Sequence, residues 1–568
     1  MIRLMLTGVS GRAGAARADR DVGEEPKRTW RARRRWRVVA VAAGIVLLFY
    51  CAQQQARQMG VQSDGAAMAL QAWAMLHGNV LLHGWYLSDV SFYTTELPEY
   101  ALVELFGGLN PDVVRLCAAL TYTLLVVLAA AVAYGARPAD KRTAVVRAGI
   151  TVAVMLGPTV AATTVLLNDP DHTGTAAPIL LALLILDRGR QRWWVPVVVA
   201  AVLGWALVGD SLVLLIGVAP LVVVCGARSV GLLVLRRMPL SAVWYELSLA
   251  AAGVAAVVGE SVLSRLIRAD GGFVVSPEKT QHVVQSAAIP ANTSAAAENF
   301  LRLFSADFFG ARLDDWLLVT AVHLVFAGLV AGALVLALRL FRRDFLRDPY
   351  HDHVGPSGGG DLIAELLAVA IVINLIAYGL LYPASVATVR EIAPLFGLGG
   401  ALAGRMLGGP LLRCRLEPLL AIGAVAAIAV LVPPLVSVKP TPPDSAVLAR
   451  FLSAHQLRNG LAGYWNADST TLDSGDRIIM RAVRFRPGHG LAGYPWEIDT
   501  RLFTSQANDV NFLVATAPGL HPAAATVTSA EAIAQFGAPY REYRCQGYEI
   551  MVWRKNLLRE LGAPYVTG

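Results

Sequence analysis

Seven polar residues suited to acid–base, metal or phosphate chemistry lie between long apolar segments of the sequence. They are Asp64, Asn168, Asp169, Asp171, His172, Arg390 and Glu391. Carboxylates and imidazoles accept protons or bind metal ions, and a guanidinium group binds phosphate. Ionisable groups are costly at hydrocarbon depth, so a set of them at the ends of apolar helices predicts a functional site at one face of a membrane.

Composition indicates a polytopic membrane protein. The chain has 568 residues, of which 55% are hydrophobic and only 16% are charged. The net charge of +8 does not indicate nucleic-acid binding, because the basic residues form short runs between apolar segments, as topology signals do. The five cysteines are widely spaced, which excludes both a disulfide framework and a zinc motif.

A transmembrane helix needs about 20 apolar residues, and the sequence contains eleven candidate spans. They are 38–55, 113–135, 144–166, 174–187, 193–209, 211–227, 241–263, 316–340, 361–382, 391–408 and 417–437. Basic runs follow the even-numbered spans, so the positive-inside rule predicts a cytoplasmic N-terminus. The seven polar residues then lie together on the extracytoplasmic side.

The predicted fold is mainly α, a transmembrane bundle with a small extracytoplasmic α/β domain. Its parts are a basic cytoplasmic tail (1–37), a transmembrane domain with outward loops (38–438, loops 56–112 and 264–315) and a C-terminal domain (439–568). The first loop contains a predicted surface helix, Asp64–His77. In the C-terminal domain, Arg477–Val483 and Tyr548–Trp553 are predicted strands.

The first loop resembles that of a known family. An acid, Asp64, follows the first span; a helix then ends in Met75-Leu-His-Gly-Asn79, and a proline-containing segment, Tyr93–Tyr100, leads to the second span. This pattern resembles the GT-C superfamily of polyprenyl-phosphate-dependent membrane glycosyltransferases, especially its bacterial, ArnT/PMT-like members. The resemblance implies a polyprenyl-phosphate sugar donor, a cell-envelope glycan or lipid acceptor, and a GT-C-like bundle embedded in membrane lipid.

The resemblance also implies that Asp64 is the catalytic base. An inverting transfer needs a carboxylate to take the proton of the acceptor hydroxyl while the lipid phosphate leaves from the opposite face of the sugar. The alternative is structural, because an acid ahead of Gly65-Ala-Ala-Met68 also suits a helix N-cap.

The second outward loop, Asn168–Gly174, contains two carboxylates and an imidazole. The resemblance implies that Asp169, Asp171 and His172 bind a metal or orient the acceptor, with Mg²⁺ or Mn²⁺ as the ion that oxygen ligands favour. The alternative is a capped turn that satisfies free amide groups at the next helix.

Arg390 and Asp210 also lie at predicted outer helix ends. The guanidinium of Arg390 suits a clamp on the donor phosphate, or else it pairs with Glu391 or a lipid headgroup. Asp210 is either a further polar residue of the site or part of a Gly-Asp-Ser turn.

A short motif occurs twice in the C-terminal domain, as Gly460-Leu-Ala-Gly-Tyr-Trp465 and Gly490-Leu-Ala-Gly-Tyr-Pro-Trp496. One interpretation is two glycine turns whose aromatic residues pack the core. The other is sugar binding on aromatic faces, by Tyr464, Trp465, Tyr494 and Trp496.

Two functions follow as hypotheses. The first is a glycosyltransferase, which predicts that mutation of Asp64 abolishes transfer. The second is a noncatalytic membrane protein, either a transporter of lipid-linked glycans or a degenerate GT-C-like assembly partner. The sequence has no Gly-x-x-x-x-Gly-Lys-Ser/Thr loop, which argues against an ATP-driven pump.

Overall fold

The structure is a computed structural model that divides into two compact units, Met1–Tyr50 and Cys51–Gly568. It describes residues 25–136, 140–158, 160–168, 172–189, 191–235, 237–278, 281–308, 317–346, 361–416, 444–516 and 526–562, with a few residues between 418 and 429. In the first unit the described residues form one continuous helix. All the site residues considered below belong to the second unit.

Helices dominate the chain up to residue 413. They are α1 (Glu25–Ala56), α2 (Ser63–Leu76), α3 (Leu97–Gly107), α4 (Asp112–Tyr134), α5 (Lys141–Val154), α6 (Val160–Leu166), α7 (Ala176–Gly189), α8 (Trp194–Gly209), α9 (Ala219–Val230), α10 (Trp244–Ala269), α11 (Ile289–Leu303), α12 (Leu317–Leu346), α13 (Leu362–Leu381) and α14 (Pro394–Arg413). A π-helical turn, Leu214–Val218, leads into α9. The prediction of a mainly α, multi-pass membrane protein is confirmed.

The predicted count of eleven spans is not confirmed. Within the described residues, seven helices are long and apolar enough to cross a membrane, and α8 is apolar but shorter. The predicted span 144–166 is divided into α5 and α6, because Gly157 adopts a positive φ and Pro158 cannot continue a helix. The predicted span 417–437 lies almost entirely outside the described residues.

The predicted surface helix is present as α2, but it is not an open surface element. Nine of its residues are buried, including Asp64 in its first turn. Small alanine side chains allow α2 to pack closely against α3 and against a helix of the C-terminal domain. The N-terminus of α2 is therefore enclosed by protein.

The C-terminal region is an α/β domain, as predicted. Its elements are α15 (Asp444–Ala454), α16 (Tyr464–Asp473), α17 (Ser529–Phe536), and the strands β3 (Asn459–Ala462), β4 (Ile479–Arg486), β5 (Gly490–Gly493), β7 (Phe512–Thr516), β8 (Arg541–Cys545) and β9 (Tyr548–Val552). The sheet order is β5-β4-β3-β7-β9-β8, with β3 parallel to both β4 and β7. The two predicted strands correspond to β4 and β9. The predicted boundary at residue 439 lies outside the described residues.

The interpretation of the repeated motif as two glycine turns is wrong. Its two copies form β3 and β5, which lie on either side of β4. Glycine suits β3 because the ring of Phe512 on β7 lies against Gly460, where a side chain would collide with it. The two copies run in opposite directions and both end beside the middle of β4, where Ala462 pairs with Ala482 and Gly493 pairs with Val483, so the aromatic residues that follow them lie close together.

A small sheet joins the two loops predicted to face outward to the C-terminal domain. Its strands are β1 (Trp85–Leu87), β2 (Val274–Val275) and β6 (Ile498–Asp499), and Tyr86 pairs with both Val274 and Ile498. Arg484 and Arg486 of β4 add ion pairs to Glu278, which follows β2. This sheet fixes the C-terminal domain over the N-terminus of α2.

Candidate functional site

Asp64 is bound on both carboxylate oxygens by residues distant in sequence. Arg390 donates from Nη1 to Oδ2 at 3.0 Å, and the hydroxyl of Tyr464 donates to Oδ1. The N-cap position of α2 is Gln62, and no side chain caps this helix. The capping alternative for Asp64 is therefore wrong, and its carboxylate faces other elements.

Arg390 lies in the 3₁₀ turn Ala387–Ile392 that precedes α14. Its side chain is 29% exposed, whereas that of Asp64 is 9% exposed. Its Nε atom is also 3.8 Å from Oε1 of Glu391. Arg390 thus contacts both acids, and its closer contact is with Asp64.

His172 lies between two buried acids. Its Nδ1 is 2.8 Å from Oδ2 of Asp210, and its Nε2 is 3.6 Å from Oε2 of Glu391. Asp210 also accepts hydrogen bonds from the Thr175 hydroxyl and the Leu212 amide. Asp210 is therefore both a turn residue and a partner of His172, so the two interpretations of Asp210 are compatible with each other.

The two acids respond differently to this environment. Burial alone would raise the pKa of Asp210. The charge and hydrogen bond of His172, together with the hydrogen bonds from Thr175 and Leu212, outweigh burial, so the pKa is lower than its ordinary value. Burial also raises the pKa of Glu391, and there it outweighs the lowering effects of His172 and Arg390. The buried site therefore contains one acid that favours its charged form and one that resists it.

Of the three residues predicted to bind a metal or the acceptor, the structure describes only His172. Asp169 and Asp171 lie outside the described residues. Both ring nitrogens of His172 face carboxylates, and the described part of the chain contains no group of three or more His, Cys, Asp or Glu residues that could hold a metal ion. Metal or acceptor binding by Asp169 and Asp171 stays a prediction.

Together these contacts form one continuous set of polar side chains, which we call the polar chain. In spatial order it consists of Asp210, His172, Glu391, Arg390, Asp64, Tyr464 and Glu497. It extends from the turn after α8 to the start of β6. Buried charges are costly unless they are paired, which explains why each member contacts the next.

Two members of the polar chain have strained backbones. His172 and Glu497 have φ values of +55° and +52°, in the left-handed region that residues other than glycine rarely adopt. Phe92, whose ring packs edge-on against His172 at 5.4 Å, also has a positive φ of +47°. Such strain concentrates at functional sites, where the surrounding structure enforces it.

The four aromatic residues predicted to bind sugar pack in one hydrophobic cluster. Tyr494 and Trp496 are nearly parallel, with ring centroids 6.4 Å apart. Arg484 lies over the ring of Tyr494 at 4.7 Å, and Tyr464 and Trp496 are buried. This arrangement agrees with the core-packing alternative. Sugar binding by Trp465 and Tyr494, which are partly exposed, stays a prediction.

Sequence reasoning missed two buried acids next to Asp64. Glu497 accepts a hydrogen bond from the Tyr464 hydroxyl at 2.5 Å, and Asp468 lies one turn beyond Tyr464 on α16. Burial, followed by the charges of Asp64 and Glu497, raises the pKa of the Tyr464 hydroxyl well above 10. The sequence signal for Glu497 was its position as a lone acid directly after the Tyr494–Trp496 motif.

Comparison with known proteins bears on the fold. No protein-family model matches the sequence, and no curated protein matches it. Among solved structures, the chain is similar to ArnT from Cupriavidus metallidurans bound to undecaprenyl phosphate, with a TM-score of 0.52 and 13% identity, over 93% of this chain and 99% of that chain. It is also similar to the Archaeoglobus fulgidus oligosaccharyltransferase in complex with Zn and sulfate, with a TM-score of 0.46 and 12% identity, over 83% of this chain and 67% of that chain.

The likeness to ArnT extends over nearly the whole of both chains, so it includes the helical region and the C-terminal domain alike. At this level of identity it concerns the fold and not the individual residues. The chain therefore shares the fold of the ArnT structure, which agrees with the GT-C-like bundle predicted from the sequence.

Proposed function

We propose that this protein is an integral membrane glycosyltransferase that moves a sugar from a polyprenyl-phosphate donor to a cell-envelope glycan or lipid acceptor. The observation that carries the proposal is the contact between Asp64 and Arg390, 326 positions apart, within a fold shared with ArnT. The ArnT structure contains undecaprenyl phosphate, which supports a lipid-phosphate donor. The reaction takes place on the extracytoplasmic side of a bacterial plasma membrane, with the N-terminus in the cytoplasm.

The proposed reaction is a displacement with inversion at the anomeric carbon. The acceptor hydroxyl oxygen forms a bond to that carbon while the bond from the carbon to the phosphate oxygen breaks. The electron pair leaves with the phosphate, which departs as polyprenyl phosphate. Asp64 takes the proton of the acceptor hydroxyl, so charge and atoms balance.

Arg390 suits the role of phosphate ligand. Its planar guanidinium can donate two hydrogen bonds to a phosphate, and it is more exposed than Asp64. In the structure it donates a hydrogen bond to Asp64, and the pair neutralises both charges. Donor binding would then transfer Arg390 to the phosphate and leave Asp64 able to accept a proton.

A second candidate is a noncatalytic role, such as glycan transport or an assembly function. The observation in its favour is that both carboxylate oxygens of Asp64 are engaged and the residue is 6% exposed. A structural connection between α2, the turn before α14 and the C-terminal domain would have this geometry.

The test is transfer by purified protein. Labelled polyprenyl-phosphate sugars are incubated with an envelope glycolipid extract, and transfer is followed for wild type and Asp64→Asn. We expect a loss of about 10²-fold or more on removal of the base. The matched control is Glu560→Gln, which removes a carboxylate from the exposed ion pair with Lys555 and leaves the site unchanged.

Full transfer by Asp64→Asn would remove the base assignment. Movement of the labelled lipid across vesicles without transfer would favour the transporter. The predicted metal requirement is tested in the same assay by chelation and by readdition of Mg²⁺ or Mn²⁺. The proposed displacement itself requires no ion.

A further inference from the structure

A cavity of about 190 Å³ lies between α2, β1 and the C-terminal domain, outside the polar chain. Its wall includes Trp73 of α2, Trp85 of β1, Asp468 of α16 and Arg481 of β4. Pockets for drug-sized ligands enclose roughly 300–1,000 Å³, so this cavity suits a group about the size of one ring.

Two polar atoms in the wall lack partners. The Oδ2 atom of Asp468 and the Nε1 atom of Trp85 are buried, and neither has a hydrogen-bond partner in the part of the chain that the structure describes. Both residues are 7% exposed. Native proteins rarely leave such atoms unsatisfied, and here the two belong to the same cavity. A ligand with hydroxyl groups could both donate to the carboxyl oxygen and accept from the indole.

The charges around the cavity favour a neutral ligand. Arg481 is buried, but its guanidinium already donates to the Leu502 carbonyl at 2.6 Å and to Asn508 at 3.0 Å. The protein therefore uses the donors that a phosphate would need. Asp476 and Asp499, also in the wall, offer an anion no additional positive charge.

Asp468 favours its uncharged form. Burial, and then the nearby negative charge of Asp64, raise the pKa of its carboxyl well above the ordinary value of 3.8. An uncharged carboxyl both donates and accepts hydrogen bonds. Two indoles and an uncharged carboxyl form a surface that suits the apolar faces and hydroxyl groups of a sugar ring.

The cavity lies close to Asp64. Asp468 follows Tyr464 by four residues on α16, so both side chains project from the same face of that helix, and Tyr464 contacts Asp64. On α2, Leu70 of the cavity wall follows Asp64 by six residues, a rise of about 9 Å. A single glycan could therefore extend from Asp64 into the cavity.

We propose that this cavity binds a neutral sugar ring of the acceptor, in the same glycan as the hydroxyl group that reacts at Asp64. The inference rests on the proposed function and specifies its acceptor as a glycan or glycolipid headgroup of at least two sugars. Asp468 and Trp85 are its hydrogen-bonding residues, and Trp73 supplies an aromatic wall.

The test is direct binding, measured without transfer. Saturation-transfer NMR on the full-length protein uses the methyl glycosides of glucose, galactose, mannose and N-acetylglucosamine as probes. We expect wild type to bind at least one of them, and Asp468→Ala and Trp85→Phe each to weaken that binding about tenfold or more, as loss of a buried hydrogen bond predicts. The two variants change different walls, so misfolding of one leaves the other informative.

Two matched controls separate ligand contact from general damage. Asp473→Ala removes a partly buried carboxyl from the helix that carries Asp468, and Trp553→Phe removes a buried indole from the C-terminal domain; neither residue lines the cavity. Both should bind the glycoside as wild type does. Equal weakening in these controls, or no binding of any of the four probes to wild type, would overturn the proposal.

The outcome is distinguishable from that of the proposed function. Glycoside binding without any transfer activity would keep the cavity assignment and remove the transferase proposal. Transfer that depends on Asp64, with no glycoside binding, would remove only the cavity assignment.

Discussion

Tyr464 and Asp64, 400 positions apart, are joined by a hydrogen bond from the tyrosine hydroxyl to the carboxylate. The same hydroxyl contacts Glu497 at 2.5 Å. A phenol carries one hydrogen, so it can donate to only one of these carboxylates at a time. Ser63, the neighbour of Asp64, also donates to the backbone carbonyl of Tyr464. One residue of the C-terminal domain thereby fixes the acid at the start of α2.

Tyr464→Phe should destabilise the protein and reduce transfer. The substitution removes the donor between two buried acids, and an unsatisfied buried polar group costs about 1–3 kcal/mol. We expect a lower Tm in a thermal unfolding scan of the purified protein. Tyr540→Phe, at a tyrosine that is 53% exposed, is the matched control and should leave the Tm unchanged.

A double variant tests whether the two facing carboxylates cause the loss of stability. Adding Glu497→Gln to Tyr464→Phe removes one of the two facing carboxylates, so the double variant should recover part of the lost stability. An unchanged Tm in Tyr464→Phe would contradict the fixing role of the hydroxyl.

Local sequence patterns predicted the secondary-structure elements but not the contacts between them. Hydrophobic periodicity is enough to place α2, and the short mixed runs place β4 and β9. Pro158 was a readable signal for the break between α5 and α6. The bond from Tyr464 to Asp64 had no such signal, because pairing across 400 positions depends on how the C-terminal domain docks. The sequence therefore predicted that these polar residues lie near one another. It did not predict which of them are in contact, and the role of Glu497 became visible only in the structure.

Arg390→Ala should weaken binding of the lipid phosphate. Truncation removes the guanidinium and leaves Asp64 without its cationic partner, and losses of 2–5 kcal/mol are typical for a buried charge pair. We expect at least a tenfold higher Kd for a short-chain polyprenyl phosphate in an equilibrium binding assay. Arg390→Lys should be intermediate, because lysine keeps the charge but not the planar pair of donors.

The control for this series is Arg501→Ala. Arg501 also pairs with a carboxylate, Asp499, but its side chain is 56% exposed. Its loss should leave the Kd for polyprenyl phosphate as in wild type. A normal Kd in Arg390→Ala would remove the phosphate-ligand assignment while leaving the ion pair with Asp64 as a structural contact.

The stability contributed by Asp210 should depend on pH. His172 holds the pKa of Asp210 below its ordinary value of 3.8, so the folded state binds a proton less readily than the unfolded state. Its contribution is therefore complete above about pH 4 and is lost as the pH falls through the lowered pKa. We expect Asp210→Asn to have a lower Tm than wild type at pH 5, and the two Tm curves to converge as the pH falls below 4. A difference that widens in acid would contradict the assigned direction.

Cysteine labelling should establish the orientation of the chain. Cys414 is exposed at the end of α14, between Arg413 and Arg415, and the positive-inside rule predicts that this end is cytoplasmic. Ser453 is an exposed residue of α15 in the C-terminal domain. In intact protoplasts, a membrane-impermeant maleimide should label Ser453→Cys in a Cys414→Ser background but should not label Cys414 of the wild type.

Lysis of the protoplasts provides the internal control, because Cys414 should then react. The other cysteines are buried or half-buried, so they contribute little background under native conditions. Labelling of Cys414 before lysis, with Ser453→Cys protected, would reverse the topology. The polar chain, which joins the C-terminal domain to α2, would then open toward the cytoplasm, and the donor and acceptor would have to be sought among cytoplasmic glycolipids.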